Sequence, residues 1–352
     1  LLFYFFNLCI FNVSLKLPFE DILWHSALSL TCISRIEFCK DVRGEPDLID
    51  RSQYEQVLFE TIVRGSTTIS ADVRAAFENA IVAETHNAAR EGLKNTYESI
   101  KLSSRIQKPA CPDTGWPIFY FKVGNECELE GGFIGLEEAA RSAVQEATHR
   151  GFLRATMKHP LTGYDPGNNI GMNIPDFTYQ FVPGRDIEMT CVAKGGGSEC
   201  FGGTRHRVVA FADGIKGIEK FVVDAFVAAS RAGAVCPPSV VGIGIGGTAN
   251  IAANLAKEAA CLRTVGSHHS EPEFSAIEDA LYDALNSLKV GMMGAGGDTS
   301  VFAVNVEYAY THIAGIAVAM SCNCLVARRA SSRILANGAI EAMESPNWFG
   351  GR

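Results

Sequence analysis

The chain has 352 residues, with 31 Lys and Arg against 39 Asp and Glu for a formal charge of −8, 47% hydrophobic residues and 34 glycines. That length and apolar content suffice for a large core, in one big domain or two small ones. They exclude bulk disorder, collagen and coiled coil, because the glycines follow no triplet period. The acidic balance, with no DNA-binding signature, argues against nucleic acid or an anionic membrane surface as the main partner.

Eleven cysteines, at positions 9, 32, 39, 111, 127, 191, 200, 236, 261, 322 and 324, are an odd number in a chain too large to need disulfide staples. They imply a reducing, cytoplasmic setting with free thiols. The apolar opening over residues 1–13 is interrupted by Asn7 and Asn12 and is shorter than the roughly 18 to 20 residues that span a bilayer. It also lacks the basic start of a secretory signal. Residues 1–47 read as an atypical apolar segment: a targeting remnant, a fragment boundary or a mistranslated stretch. Residues 48–352 read as the functional domain.

From residue 47 to about 106 the pattern is helical, and Ser70 can cap a helix that carries Val73, Phe77, Ala80 and Ile81 on one stripe. Residues 117–123 (PIFYFKV) read as a strand, which places Cys111, Asp113 and Thr114 on the loop that feeds it. A helix from Leu136 to about His149 follows, then a Gly/Asn/Pro-rich stretch over 162–175, and strands at about 177–182 and 187–193. The loop Lys194-Gly195-Gly196-Gly197-Ser198-Glu199-Cys200 comes next. Later elements are a helix over 218–231 ending at Gly233, a strand over 240–245, a helix over 250–261 and a strand over 301–308. The expected fold class is α+β, with a helical N-terminal layer and then a mixed sheet region whose glycine-rich loops converge.

Chemistry concentrates where glycine, proline and thiols coincide: Cys111-Pro-Asp-Thr-Gly115, residues 195–200, Cys236-Pro-Pro and the neighbourhood of Cys324. Thiols from separated loops, with no CxxC pair, do not suit a four-cysteine structural zinc. They suit an iron–sulfur cluster with one iron that lacks a protein ligand and can act as a Lewis acid. Free cysteine also packs as a small hydrophobe, and Cys127, Cys191 and Cys261 read that way. The run Gly242-Ile-Gly244-Ile-Gly246-Gly247 departs from the GxGxxG dinucleotide fingerprint. It reads either as a nucleotide loop of an oxidoreductase or as a glycine-lined strand that another backbone approaches closely. Arg154 either clamps a carboxylate or lies on the surface, and His312 is either a site residue or a structural one.

These strings resemble the α subunit, or N-terminal domain, of the iron–sulfur hydro-lyases that include class I fumarase and L-tartrate dehydratase. The resemblance rests on CPDTG with FKVG downstream, LRAT, AKGGGSE, CPPSVVGIGIGGT and EYAYTHIAGIAVAMSCNCLVARRA, in order, over about residues 66–332. It implies a 4Fe-4S cluster held by Cys111, Cys236 and Cys324, the last preferred to Cys322 because it lies four residues before Arg328-Arg329. It also implies proton-transfer or substrate-binding duty for Asp113, substrate contacts for Arg154 and His312, and a substrate-closing loop at Gly195, Gly196 and Gly197. Two positions depart from the family pattern: Pro112, where Gln is frequent, and Cys200, which is thereby a runner-up ligand. The implied reaction is hydration of a small dicarboxylate, foremost fumarate to (S)-malate, with L-tartrate dehydratase or methylfumarate hydratase as alternatives. The chain stops 28 residues after Cys324, so the active site is expected to be completed by a β subunit.

Overall fold

The computed structural model describes residues 48–200 and 203–350, so the atypical segment 1–47 lies outside the described residues. Three helices lead: α1 (Arg51–Thr67), α2 (Ala71–Ala83) and α3 (Asn87–Ile106). The α1 helix starts where the Asp50 N–H donates to Gln53 Oε1 at 3.0 Å, which satisfies one of the donors that a helix start leaves over. The stripe expected on α2 is buried through Val73, Phe77 and Ala80, while α3 buries Ala89, Leu93, Tyr97 and Ile100. The remaining elements are β1 (Trp116–Gly124), α4 (Gly132–His149), β2 (Asp176–Val182), β3 (Ile187–Lys194), α5 (Gly196–Cys200), β4 (Thr204–Val209), α6 (Gly214–Arg231), β5 (Ser239–Ile245), α7 (Ala249–Leu262), α8 (Pro272–Ser287), β6 (Val301–Tyr308), β7 (Ile316–Asn323), β8 (Arg329–Ile334) and β9 (Ile340–Met343). The α+β expectation holds, and the strands form two mixed sheets.

The first sheet has the order β2-β1-β3-β8-β9, and the second β4-β7-β5-β6. Among the described strands, β1/β2 and β5/β6 run parallel and the other pairings antiparallel. On the first sheet, Leu136, Ala140 and Val144 of α4 and Leu58 and Ile62 of α1 bury Phe119, Phe121 and Met189. On the second, Phe221, Val222 and Phe226 of α6 and Leu281 and Leu285 of α8 cover Val241, Ile243, Val304 and Met320.

Between the sheets lies α7. Its Ala252 and Ala256 meet Ala317 and Ala319 of the second sheet, and its last turn, Ala260 to Leu262, meets Ile118, Tyr120 and Val192 of the first. This packing explains the glycine run. A Cβ at Gly242 would stand 2.1 Å from the Ala256 carbonyl oxygen, and one at Gly244 would stand 2.0 Å from that of Ala252. Hydrogen on those α-carbons lets helix and strand backbones touch, which is the glycine-lined reading rather than the phosphate loop.

Several elements escape the sequence reading. Residues 312–329, for which no strand is expected, contain β7, and β8 starts at its end; α8 is likewise unforeseen. Introducing one methyl at Gly244 forces α7 off β5. We expect Gly244→Ala to cost about 1–3 kcal/mol, seen as a lower thermal midpoint, and an unchanged midpoint would refute the close-packing account.

Candidate active site

The two sheets communicate through two chain crossings, and both lie at one end of each sheet. The first runs from the end of β3 through α5 to the start of β4, and the second from the end of β7 through a turn to the start of β8. Register fixes which ends these are. Trp116 at the start of β1 pairs with Lys194 at the end of β3, and Val192 near that end pairs with Arg329 at the start of β8. In the second sheet Val240, at the start of β5, pairs with Asn323, at the end of β7. Cys111 and Asp113 precede β1, Cys236 precedes β5, Cys324 follows β7, and residues 195–197 follow β3, so the topology delivers all of them to the same junction.

Local bonds close the junction. The Leu325 N–H donates to the Cys236 carbonyl at 2.9 Å, and the Ala327 N–H to that of Cys324 at 2.9 Å, which makes a turn. Cys236 and Cys324 share a thiol hydrogen bond that pushes the Cys236 thiol up, an effect reinforced by burial and by the charges of Cys324, Cys111 and Asp113. The same bond draws the Cys324 sulfur toward thiolate, against burial and with help from the Cys236 backbone, the Lys194 charge and the Ser198 hydroxyl. Cys111, Cys236 and Cys324 are each half-buried, whereas Cys191, Cys261 and Cys322 are buried. Burial pushes the Cys322 thiol up to about 12. Cys322 therefore belongs to the core and Cys324 to the junction. Cys200 is exposed, and its thiol is raised by partial burial and by Glu199 and Asp113.

Asp113 Oδ2 accepts from the Gly196 N–H at 2.7 Å, which fixes the carboxylate against the glycine loop. Glycine is required around it: a Cβ at Gly115 would stand 1.7 Å from the Lys194 carbonyl oxygen, and one at Gly197 would stand 2.5 Å from that of Ala234. Thr114 Oγ1 accepts from the Arg154 N–H at 3.0 Å, which brings the LRAT segment beside the CPDTG loop while the Arg154 side chain stays exposed. Asn169, in the left-handed region at φ 60°, completes that corner. Its amide donates to the Arg154 carbonyl at 2.9 Å and its Oδ1 accepts from the Thr156 N–H at 2.9 Å. The sequence reading missed Asn169, although Asn in a Gly/Pro-rich stretch is a signal for that backbone conformation.

His312 is not brought to this junction. It sits exposed on the loop between β6 and β7, where its Nδ1 accepts from the Ala314 N–H at 3.1 Å. The eight residues of β7 separate it from Cys324, a span of roughly 25 Å at strand rise.

A second set that the sequence reading missed lies beneath the thiols. Lys194 is 0% exposed. Its Nζ donates to the Cys322 carbonyl at 2.8 Å and the Ser198 carbonyl at 2.9 Å, and pairs with Glu199 at 3.0 Å. Glu199 also pairs with Lys257 of α7. Burial opposes ionisation of Glu199, but the charges of the two lysines outweigh it and hold its carboxyl below the usual range. One ammonium thus ties the end of β3 to α5 and β7 across both crossings. The motif string AKGGGSE contained the signal, since a lysine inside an apolar strand end needs partners when buried.

Among the described residues, no three His, Cys, Asp or Glu side chains gather closely enough to hold a single metal ion. A cavity of about 410 Å³ lies between α2, α8 and β6, lined in part by Asp72, Asn79, His268, Glu278 and Tyr282, and none of the expected site residues borders it. Among the described residues, no helix is long and apolar enough to cross a membrane. Replacing Lys194 by Met strands two carbonyls and leaves Glu199 with Lys257 alone; we expect a loss of about 3 kcal/mol, read by denaturant unfolding, while a change below about 0.5 kcal/mol would show that the ammonium is no staple.

Comparison with known proteins agrees with the motifs. A family model described as fumarate hydratase (Fumerase) matches residues 55–333. The provisionally named L(+)-tartrate dehydratase subunit alpha of Methanocaldococcus jannaschii is 36% identical over 280 residues, covering 79% of this chain and 96% of that protein. The L(+)-tartrate dehydratase subunit alpha of an Escherichia coli strain is 33% identical over 273 residues, covering 77% of this chain and 88% of its own. The chain belongs to the fumarate hydratase family of hydro-lyases.

Proposed function

We propose that this chain is the α subunit of a 4Fe-4S hydro-lyase acting on a small dicarboxylate, with Cys111, Cys236 and Cys324 as the cluster ligands and a β subunit completing the active site. The observation that supports this reading is the hydrogen bond between the Cys236 and Cys324 thiols, with the charges of Cys111 and Asp113 bearing on Cys236. The donor set fits such a group. It is made of soft thiolates, one of them already drawn toward its charged form, and a cluster takes each thiolate on a different iron, so the sulfurs need not converge on one point. When bound, the cluster would supply a Lewis acid that polarises a substrate hydroxyl and carboxylate.

The chain's own residues would do the rest. Asp113, with Oδ2 held by the Gly196 N–H, keeps Oδ1 to take or return a proton. Arg154, its backbone pinned by Thr114 and Asn169, offers a guanidinium fork to a substrate carboxylate. Gly195, Gly196 and Gly197 present main chain without side chains, so substrate can approach the loop. Loss of a proton from carbon beside a carboxylate builds negative charge, which the partner's groups and these donors must stabilise. His312, exposed on the loop at the far end of β7, is not assigned a role among these residues.

The family description favours fumarate and (S)-malate, while the relatives' names favour L-tartrate. Anaerobically purified holoenzyme should dehydrate one of these hydroxy acids. Cys111→Ser, Cys236→Ser and Cys324→Ser should each lower bound iron severalfold, whereas Cys200→Ser and Cys322→Ser should retain it. Unchanged iron in the first three variants would overturn the ligand assignment.

A further inference from the structure

We propose that Arg328 is a second carboxylate-binding residue of this site, recognising one carboxylate of the dicarboxylate substrate. Resting on the hydro-lyase reading above, the assignment adds a residue that the motifs supplied only as a landmark.

Arg328 is 4% exposed, yet its Nη1 has no hydrogen-bond partner among the described residues. A buried guanidinium nitrogen without an acceptor is costly to desolvate, and a substrate carboxylate is an acceptor that could satisfy Nη1. The neighbouring Arg329 also has one buried nitrogen without a partner, Nε, but both of its Nη atoms are engaged. Arg329 is bound to Asp72 and donates to the carbonyls of Cys261 at 2.6 Å and Arg263 at 3.0 Å. Its role is structural.

The direction in which Arg328 points follows from Gly195. A Cβ placed on that glycine would stand 3.5 Å from Arg328 Nη2 and 3.3 Å from Asp113 Oδ2. Guanidinium and carboxylate therefore both border a residue without a side chain, and no ion pair joins them among the described residues. Asp113 instead takes the Gly196 N–H. The Arg328 backbone is anchored to the end of β3, its carbonyl accepting from the Ala193 N–H at 3.2 Å.

The thiols already have a cation of their own, because the lysine that bears on Cys324 is Lys194. A free planar fork beside a proton-transferring carboxylate matches a substrate carboxylate, which accepts two parallel N–H bonds. Exposed Arg154 and buried Arg328 would then hold the two ends of a dicarboxylate, with Asp113 between them.

The test uses reconstituted holoenzyme, with cluster and partner subunit, and two unreactive probes, succinate and propionate, titrated by calorimetry. Wild-type enzyme should bind succinate more tightly than propionate. Arg328→Lys and Arg328→Ala should weaken succinate by about 10- to 100-fold, the range for a lost charged hydrogen bond. Propionate should shift much less, iron content should be retained, and methylguanidinium should restore part of the succinate affinity to Arg328→Ala. An unchanged succinate-to-propionate ratio would overturn the proposal. So would loss of iron in both variants, since that would make Arg328 a support of the loop. Wild-type enzyme that does not prefer succinate would instead sink the dicarboxylate reading on which the assignment rests.

Discussion

Two sheets of this protein are sewn together at one end of their strands, and a buried ammonium holds the seam. Lys194 ends β3, and its Nζ reaches the Cys322 carbonyl on β7, the Ser198 carbonyl on α5 and the Glu199 carboxylate. Breaking this cation's contacts would leave two carbonyls unpaired in a dry place and Glu199 with one cation in place of two, which is costly. The two crossings therefore cannot drift apart, and the loops at the sheet ends are confined to a small volume. The α7 helix adds a second constraint. It is wedged against β5 through Gly242 and Gly244, and its Lys257 joins the same charge network through Glu199.

That confinement explains how groups far apart in sequence share an electrostatic environment. The charges of Cys111 and Asp113 reach the Cys236 thiol, which lies more than a hundred residues later in the chain. The charge distribution also has a logic. Lys194 lies on the thiol side, where its charge favours thiolate at Cys324, and Arg328 lies on the carboxylate side, across Gly195 from Asp113. The Asp113 carboxylate and the thiols are thus separately supported.

Much of this was legible in the sequence. Periodicity placed α2, α4, α6 and α7 and strands β1, β3, β5 and β6 close to their observed bounds, because each carries one apolar face or a continuous apolar run. The β7 strand was missed because IAVAMSCN is buried along nearly its whole length, and such a run shows no alternation to mark it as a strand. The β4 strand (TRHRVV) was missed for the opposite reason, since it is a half-exposed edge strand rich in charge. Pro272 in the first turn of α8 was a readable start signal that went unused. At the site, motif strings located the loops but not the residues that hold them. Lys194 and Asn169 act through buried bonds to distant main chain, and sequence carries no spacing rule for such partners. His312, grouped with the site by motif, lies at the opposite end of β7.

Anomalous diffraction at the iron edge, from crystals of holoenzyme grown without oxygen, tests the central claim most directly. The account predicts a compact iron peak bounded by the sulfurs of Cys111, Cys236 and Cys324, at the seam where β3 passes to α5 and β7 to β8. Iron located elsewhere, or held by Cys322 or Cys200 in place of these thiols, would contradict it.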